Sequence, residues 1–537
     1  MITYHNNNIM HLRLCTFILA LCLLNLPELA SASGVAPYPG PTHGIVFLTK
    51  GFYRITYENV HMPDHDPNMG FVGLNYLVHV TPRFYLGGAA YSAQRGIRGG
   101  FFTVGLEGGF QYPLMTRLMF DTGIFIGGGG GSGGQQGGGL MLRPHAGLIY
   151  HFKPLDLSLN YDEIHFPNGR INSKEVSLGV DIPFKTIMAN GSYRDLMIGS
   201  PNNLPRSLRH HIAYAGETTL FTISHYHPTR SGVSPGAVPL SHSISLAGFE
   251  LQKDLTPRAF FILEASGAAG GNADGYAELL MGLGYRISPD SWPVQFNAHM
   301  TLGGGGGGHI DTGGGSILKW GLNADYPLGH HYIAGLDIGE LHPIGGNFSA
   351  RTFSVDLGYE TDMAQYSGGY QPAHADDRLK LSGYRIRAST EEYLHTQHKA
   401  GYSGANRIGM IAIKIDRFIQ NGFYLTGQAM GANSGGAGGY AVGLVGAGFE
   451  TAPLIGSVGM DTELLVGASG GGGVAVGGGA IIQAMAGAYA NMGHNLSFNC
   501  SIGEVKSIRG TLQSPLIDIG IGYSFSNIEH LATYSQH

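Results

Sequence analysis

Residues 117–184 decide the fold. They open as RLMFDTGIFI (117–126) and pass through a glycine block, Gly127–Gly131, Ser132, Gly133–Gly134, Gln135–Gln136 and Gly137–Gly139. They continue as LMLRPHAGLIYHF (140–152), LDLSLNY (155–161) and KEVSLGVDIPF (174–184). Alternate residues fall into two classes. Leu118, Phe120, Thr122, Ile124 and Ile126 oppose Met119, Asp121, Gly123 and Phe125; Val176, Leu178, Val180, Ile182 and Phe184 oppose Ser177, Gly179, Asp181 and Pro183. A period of two predicts strands with one apolar and one polar face. Segments of about 9–11 residues are long enough to cross a bilayer when tilted.

The same pattern returns at Val294–Tyr359 and Val458–Phe525, each time around glycine runs (Gly303–Gly308 and Gly313–Gly315; Gly470–Gly473 and Gly477–Gly479). Upstream, TPRFYLGGAAYSA (81–93) is echoed by TPRAFFILEASGAAG (256–270) and more loosely by FYLTGQAMGANSG (423–435). The unit is roughly 165–175 residues long and occurs three times, and such a period governs the architecture. Eight strands are expected in the first unit, near 51–61, 70–80, 83–92, 101–113, 117–127, 139–152, 155–164 and 174–184. The expected organisation is a lead-in over 33–48, β units over 49–184, 211–359 and 384–525, linkers over 185–210 and 360–383, and a tail over 526–537. Each linker is read as a segment at the tight-turn end, with an extra hairpin as the alternative.

Composition narrows the class. Charged residues are 13% of the 537-residue chain, against about 25% for a soluble protein. Glycine supplies 88 residues. Beyond the N-terminus no run of 18 apolar residues is present, so no spanning helix is expected. The formal charge of −6 is mild, and no basic stripe points to nucleic acid. Residues 1–32 read as a secretory leader: Arg13, the apolar Leu14–Leu24, and the small residues Ala30-Ser31-Ala32 before cleavage. Of Cys15, Cys22 and Cys500, only Cys500 remains after cleavage, so no internal disulfide is expected.

The connections alternate in character. Thr81-Pro82, Pro113–Thr116 and Lys153-Pro154 make tight turns; MPDHDPN, SAQRGIRG, the glycine block and HFPNGRINS make long loops. Tyr112, Tyr150, Phe152, Tyr285 and Tyr326 sit where strands meet the tight turns, as an interfacial girdle. Backbone in lipid must pair internally, which requires closure. At this level the chain resembles Gram-negative outer-membrane β-barrel proteins, through its alternation, turn asymmetry, leader and a final strand, Ile517–Phe525, like the barrel-assembly signal. The resemblance covers nearly the whole mature chain. It departs from the pattern in the tail after Phe525. It implies an all-β, antiparallel transmembrane barrel in the outer membrane, with lipid and the barrel-assembly machinery as partners. The expected closure is one barrel of about 24 strands; the alternative is three eight-stranded barrels, each filled by side chains.

Candidate sites follow from parity. Asp181, Asp356 and Asp518 recur on the polar face of the last strand of each unit, and Asp121, Asp156, Glu107 and Glu278 join them in a mildly acidic lumen. In a wide barrel these acids give weak cation preference; in a narrow one they become hydrogen-bonded plugs. Glu163, Glu340 and Glu504 recur near the end of the seventh strand on the apolar parity, which is read as an interfacial charge or, after a bulge, an acidic ring. The glycine runs lack a following Lys-Ser or Lys-Thr and so fail as phosphate loops; mobile loops gating a mouth are the alternative use. Histidine clusters (His61/His65, His225/His227, His330-His331) lack the convergence that a metal site needs. No metal, no cofactor and no enzymatic activity are expected. The functional expectation is a porin-like channel or export conduit for small hydrophilic solutes; the alternative is a non-conducting surface or structural protein whose glycine-rich loops contact partners.

Overall fold

The computed structural model describes residues 45–531 apart from 194–195, 231, 234–239, 241–242, 290, 330, 367 and 403. The expected leader and most of the lead-in lie outside the described residues. Among the described residues twenty-six strands, all antiparallel, join in one connected sheet system. That system closes on itself three times.

The first ring contains β1 Val46–Val60, β2 Met69–His79, β3 Phe84–Arg95, β4 Phe102–Met115, β5 Leu118–Gly130, β6 Met141–Phe152, β7 Leu155–His165 and β8 Asn172–Asn190. Neighbours in sequence pair, and β8 returns to β1 from Val46↔Ala189 to Tyr57↔Leu178. After a short strand β9 (Leu196–Gly199), the second ring runs β10 Ile212–Arg230, β11 Ile244–Asp254, β12 Ala259–Gly270, β13 Ala277–Arg286, β14 Gln295–Gly306, β15 Ser316–Pro327, β16 Tyr332–Pro343 and β17 Ser349–Tyr366. It closes through β10 and β17. After β18 (Gln371–Pro372), the third ring runs β19 Arg378–Tyr393, β20 Ile408–Phe418, β21 Phe423–Ala432, β22 Ala441–Glu450, β23 Val458–Gly470, β24 Ala480–Gly493, β25 Leu496–Ser507 and β26 Gln513–Leu531. It closes through β19 and β26.

This corrects the expectation of one barrel of about 24 strands. The first and last strands of each ring satisfy one another along most of their length, which leaves no long edge to join to the next unit. What passes between rings is short: Thr186↔Gln365, Asn190↔Phe525 to Met188↔Asn527, and Asp362↔His530 to Met363↔Glu529. These pairings lie where the closing strands run on past their rings. There Val46, Ile187, Ala189, Ile212, Ala364, Leu379, Leu381 and Ile528 share one apolar core with Leu204 and Leu208 of the first linker. The expected linkers and tail therefore begin inside strands, and the second linker also ends inside one: β8 reaches Asn190, β17 reaches Tyr366, β19 starts at Arg378 and β26 reaches Leu531. Residues 532–537 of the expected tail lie outside the described residues.

The opposite end is held by the glycine runs, which are not the free rim loops of the gating alternative. An added Cβ on Gly128 of the first ring would overlap the Gly431 carbonyl of the third. One on Gly100 would overlap the backbone of Gly307 in the second, and one on Gly470 of the third that of Gly275 in the second. Only glycine lets backbones approach this closely. Hydrogen bonds complete two of these contacts, Gly439 N to Gly129 O at 3.0 Å and Gly99 N to Gly313 O at 3.0 Å. The third is joined by an ion pair between Lys399 and Asp274. The tight turns are sequence-coded: the Thr81 hydroxyl accepts from Phe84 N at 3.0 Å, and Thr256 repeats this with Ala259 N at 2.8 Å.

Candidate functional site

Parity gives each ring an apolar outside and a charged inside. Outward Leu148, Leu157, Leu159, Leu322, Leu336 and Leu464 are exposed, and the expected girdle residues Tyr112, Tyr150, Phe152, Tyr285 and Tyr326 are exposed with them. The polar positions point inward, where eight strands leave room only for side chains.

In the first ring Arg54 on β1 is 1% exposed. Its Nε and Nη2 donate to Asp181 at 2.8 and 2.7 Å, and its Nη1 donates to Asp121 at 2.8 Å. His145 Nε2 lies 3.2 Å from Asp121, and the Tyr91 hydroxyl donates to Glu107 at 2.9 Å. A second layer pairs Arg143 with Glu58 at 3.0 Å and Asp162 at 2.8 Å. Asp156, near the tight-turn mouth, pairs with His151 at 2.9 Å. The third ring is filled similarly. Arg385 and Arg387 both reach Asp416 at 2.8 Å, Arg385 also meets Glu450 at 3.0 Å, and Arg387 meets Glu463. Lys414 lies between Asp518 at 3.0 Å and Glu391 at 3.3 Å.

The second ring differs. Its buried acids are Glu264, Glu278, Asp325, Asp337 and Asp356, and Lys319, 2.5 Å from Glu264, is the buried lysine among them. Glu278 is satisfied by the hydroxyls of Tyr226, Tyr276 (2.8 Å) and Ser266 (3.0 Å). Oδ1 of Asp356 and both carboxylate oxygens of Asp337 accept no hydrogen bond. They border a small internal cavity of about 20 Å³ with Glu250, Glu264, His299 and Lys319, room for about one water.

The structure thus turns Asp181, Asp356, Asp518, Asp121, Asp156, Glu107 and Glu278 toward ring interiors, but divides them among three rings instead of gathering them around one lumen. Glu163, Glu340 and Glu504 point outward on separate rings. They meet Lys174 at 3.8 Å, His342 at 3.2 Å and Gln513 at 2.6 Å. No bulge turns them inward, so they form no shared acidic ring. Sequence reasoning listed the acids and missed their partners, Arg54, Arg143, Arg385, Arg387, Lys319 and Lys414. The signal was available, because each is a basic residue at the polar parity of an otherwise apolar strand, as in FYRITY and IAIKID. Among the described residues no three His, Cys, Asp or Glu side chains converge as metal ligands.

Closed antiparallel rings with apolar outsides, tight turns at one end and long loops at the other resemble Gram-negative outer-membrane β-barrel proteins. No protein-family model matches the chain, and no curated protein matches it. Among solved structures it is similar to OccK11 (OpdR) of Pseudomonas aeruginosa, with 11% identity over 89% of this chain and 96% of that one and a TM-score of 0.21. OccK8 (OprE) of the same organism gives 10%, 90%, 98% and 0.21. A mutant of its ferric enterobactin receptor PfeA gives 10%, 89%, 80% and 0.26.

Proposed function

We propose that this chain is an integral protein of the Gram-negative outer membrane, porin-like in build, in which three copies of one eight-stranded unit form three barrels from a single chain. Ring closure with apolar outer faces supports membrane insertion, because it leaves neither a sheet edge nor a polar wall toward lipid. The tight turns face the periplasm and the glycine-held end faces outward.

In this reading the barrels are plugged. The carrying observation is the layer of cation–carboxylate networks across the first and third rings, anchored at Arg54, Arg143, Arg387 and Lys414. The protein then acts through its surface and its fixed loop end instead of through a wide pore. The test is planar-bilayer conductance of folded mature protein. Silence is expected; large, steady ohmic steps from wild-type protein would overturn the plugged reading.

One observation favours a second reading. The second ring has the internal cavity, bordered by Asp337, Asp356, Glu250 and Glu264 with Lys319 as its one lining lysine, so a narrow cation path would run there. On that reading small cation-selective steps appear, and Asp356→Asn together with Asp337→Asn abolishes their selectivity.

A further inference from the structure

The tight turns of the three rings differ in charge. In the first ring they are 80–83 (VTPR), 116–117 (TR) and 153–154 (KP), and each carries one basic residue and no acid: Arg83, Arg117 and Lys153. The third ring's turns, 419–422 (IQNG), 451–457 (TAPLIGS) and 494–495 (HN), hold no Lys, Arg, Asp or Glu. The second ring's hold Arg258 and Asp290, of opposite sign. A cation is therefore not needed to make such a turn, and only the first ring has one in all three.

The backbones there are fixed and the charged heads are free. The Arg83 carbonyl accepts from Gln111 N at 2.8 Å, and the Arg117 carbonyl accepts from His151 N at 2.9 Å. Arg83, Arg117 and Lys153 are exposed, and among the described residues none forms an ion pair. The acids at this end of the ring, Asp156 and Asp181, point inward and are paired with His151 and Arg54. The Arg83 guanidinium lies 5.0 Å over the ring of Tyr112, a cation–π contact at the level of the aromatic girdle.

Large apolar side chains flank the same turns. Leu114, Met115 and Phe152 are exposed, and Met115, at 72%, is more open than Leu178 on the outward wall, at 63%. The apolar wall thus continues to the turn tips, with the cations among them. Water suits the cations and not Leu114 or Met115; hydrocarbon suits the reverse. A headgroup layer over acyl chains suits both, and three unpaired cations without an acid favour negative headgroups.

We propose that the tight-turn end of the first ring is a docking surface for anionic phospholipid. Arg83, Arg117 and Lys153 meet the phosphates, and Leu114, Met115 and Phe152 sit among the first acyl carbons. This rests on the membrane-embedded reading above. The third ring, with uncharged turns, shows no such preference.

The test uses full-length mature protein with Trp292 and Trp320, its two tryptophans, replaced by Phe. Leu114→Trp then reports from the first ring and, in a separate variant, Leu454→Trp from the third. Each is folded into phosphatidylcholine vesicles containing brominated phosphatidylglycerol or brominated phosphatidylcholine, and fluorescence quenching gives the relative affinity of each lipid. At the first-ring reporter phosphatidylglycerol is expected to be favoured about fivefold or more; at the third-ring reporter the two lipids are equal. Arg83→Gln, Arg117→Gln and Lys153→Gln together bring the first-ring ratio down to that of the third, with the heat-modifiable migration of folded protein unchanged. Equal affinities at the first-ring reporter, a preference untouched by the triple substitution, or the same preference in the third ring overturns the proposal. Folded protein whose reporters are quenched by neither lipid overturns membrane insertion, whereas equal quenching by both overturns only this inference.

Discussion

Arg54 and Asp181 stand directly opposite one another across the seam that closes the first ring, joined by two hydrogen bonds of 2.8 and 2.7 Å. The equivalent aspartates sit opposite Thr222 in the second ring and Glu391 in the third. Lys414 from β20 supplies the missing cation for Asp518 in the third ring, whereas among the described residues no basic side chain forms an ion pair with Asp356 in the second; its nearest buried cation is Lys319, which pairs with Glu264. One position in three seams thus has three different electrostatic solutions.

Removing one partner of a buried pair costs more than never having had the pair. Arg54→Met strands Asp121 and Asp181, and we expect it to destabilise the first ring by about 3–5 kcal/mol. Adding Asp121→Leu and Asp181→Leu recovers most of that loss. Urea unfolding in micelles measures both; equal stability of the single and triple variants would refute the pairing argument.

Neutralising an aspartate has opposite consequences in two seams. Asp181→Asn weakens a bidentate pair and is expected to lower the unfolding midpoint. Asp356→Asn removes a buried charge without a close cation, so a neutral or stabilising effect is expected. Similar losses from both substitutions would show that the seams are electrostatically alike.

Gly431→Val inserts bulk where the backbones of the first and third rings meet. We expect a cost of about 1–3 kcal/mol from overpacking. With Cys500 replaced by Ala, cysteines at Gln136 and Gly438, whose side chain and carbonyl are 2.9 Å apart, report the contact. The cross-link forms readily with Gly431 and poorly with valine; an unchanged yield would place the contact elsewhere.

Cys500 lies exposed on the outer face of β25, beside Phe498 and Ile502. In vesicles a charged maleimide should not modify it, while a membrane-permeant maleimide should. Equal labelling by both reagents would mean that this face of the ring meets water.

Asp64, in the loop after β1, accepts from Gln135 at 3.0 Å and from Arg170 at 2.6 Å, and these bonds hold its carboxyl below the usual aspartate range. A depressed folded value gives stability that is present above the unfolded pKa and lost as the pH falls through the folded one. Protease protection of this loop should therefore persist at neutral pH and fade under strongly acidic conditions. Asp64→Asn should make it insensitive to pH; a wild-type loop equally protected at all pH values would argue against the contribution.

Much of the barrel was legible from alternation, because the period of two follows directly from the pleat: Arg54, Asp121 and Asp181 could be assigned to the inner face from parity alone. Ring number was not legible. Whether β8 returns to β1 or passes on to β10 depends on pairing between strands with the same alternating pattern, and Val180 or Ile182 can satisfy either edge equally well. Glycine was misread for a related reason. A run such as Gly127–Gly131 signals backbone freedom in one dimension, whereas its use here is close approach between distant segments such as Gly128 and Gly431. The acids of the site were visible, but their cations come from other strands, as when Lys414 on β20 reaches Asp518 on β26.

The glycine contacts that bind the rings have a genetic consequence. In a trimer of identical subunits every codon change appears three times around the axis, so a change that suits one subunit must suit all. Here Gly128 meets Gly431 at one contact, and a different pair of residues, Gly275 and Gly470, makes another. Each can mutate alone, and one lumen can acquire a new lining while its neighbours keep theirs.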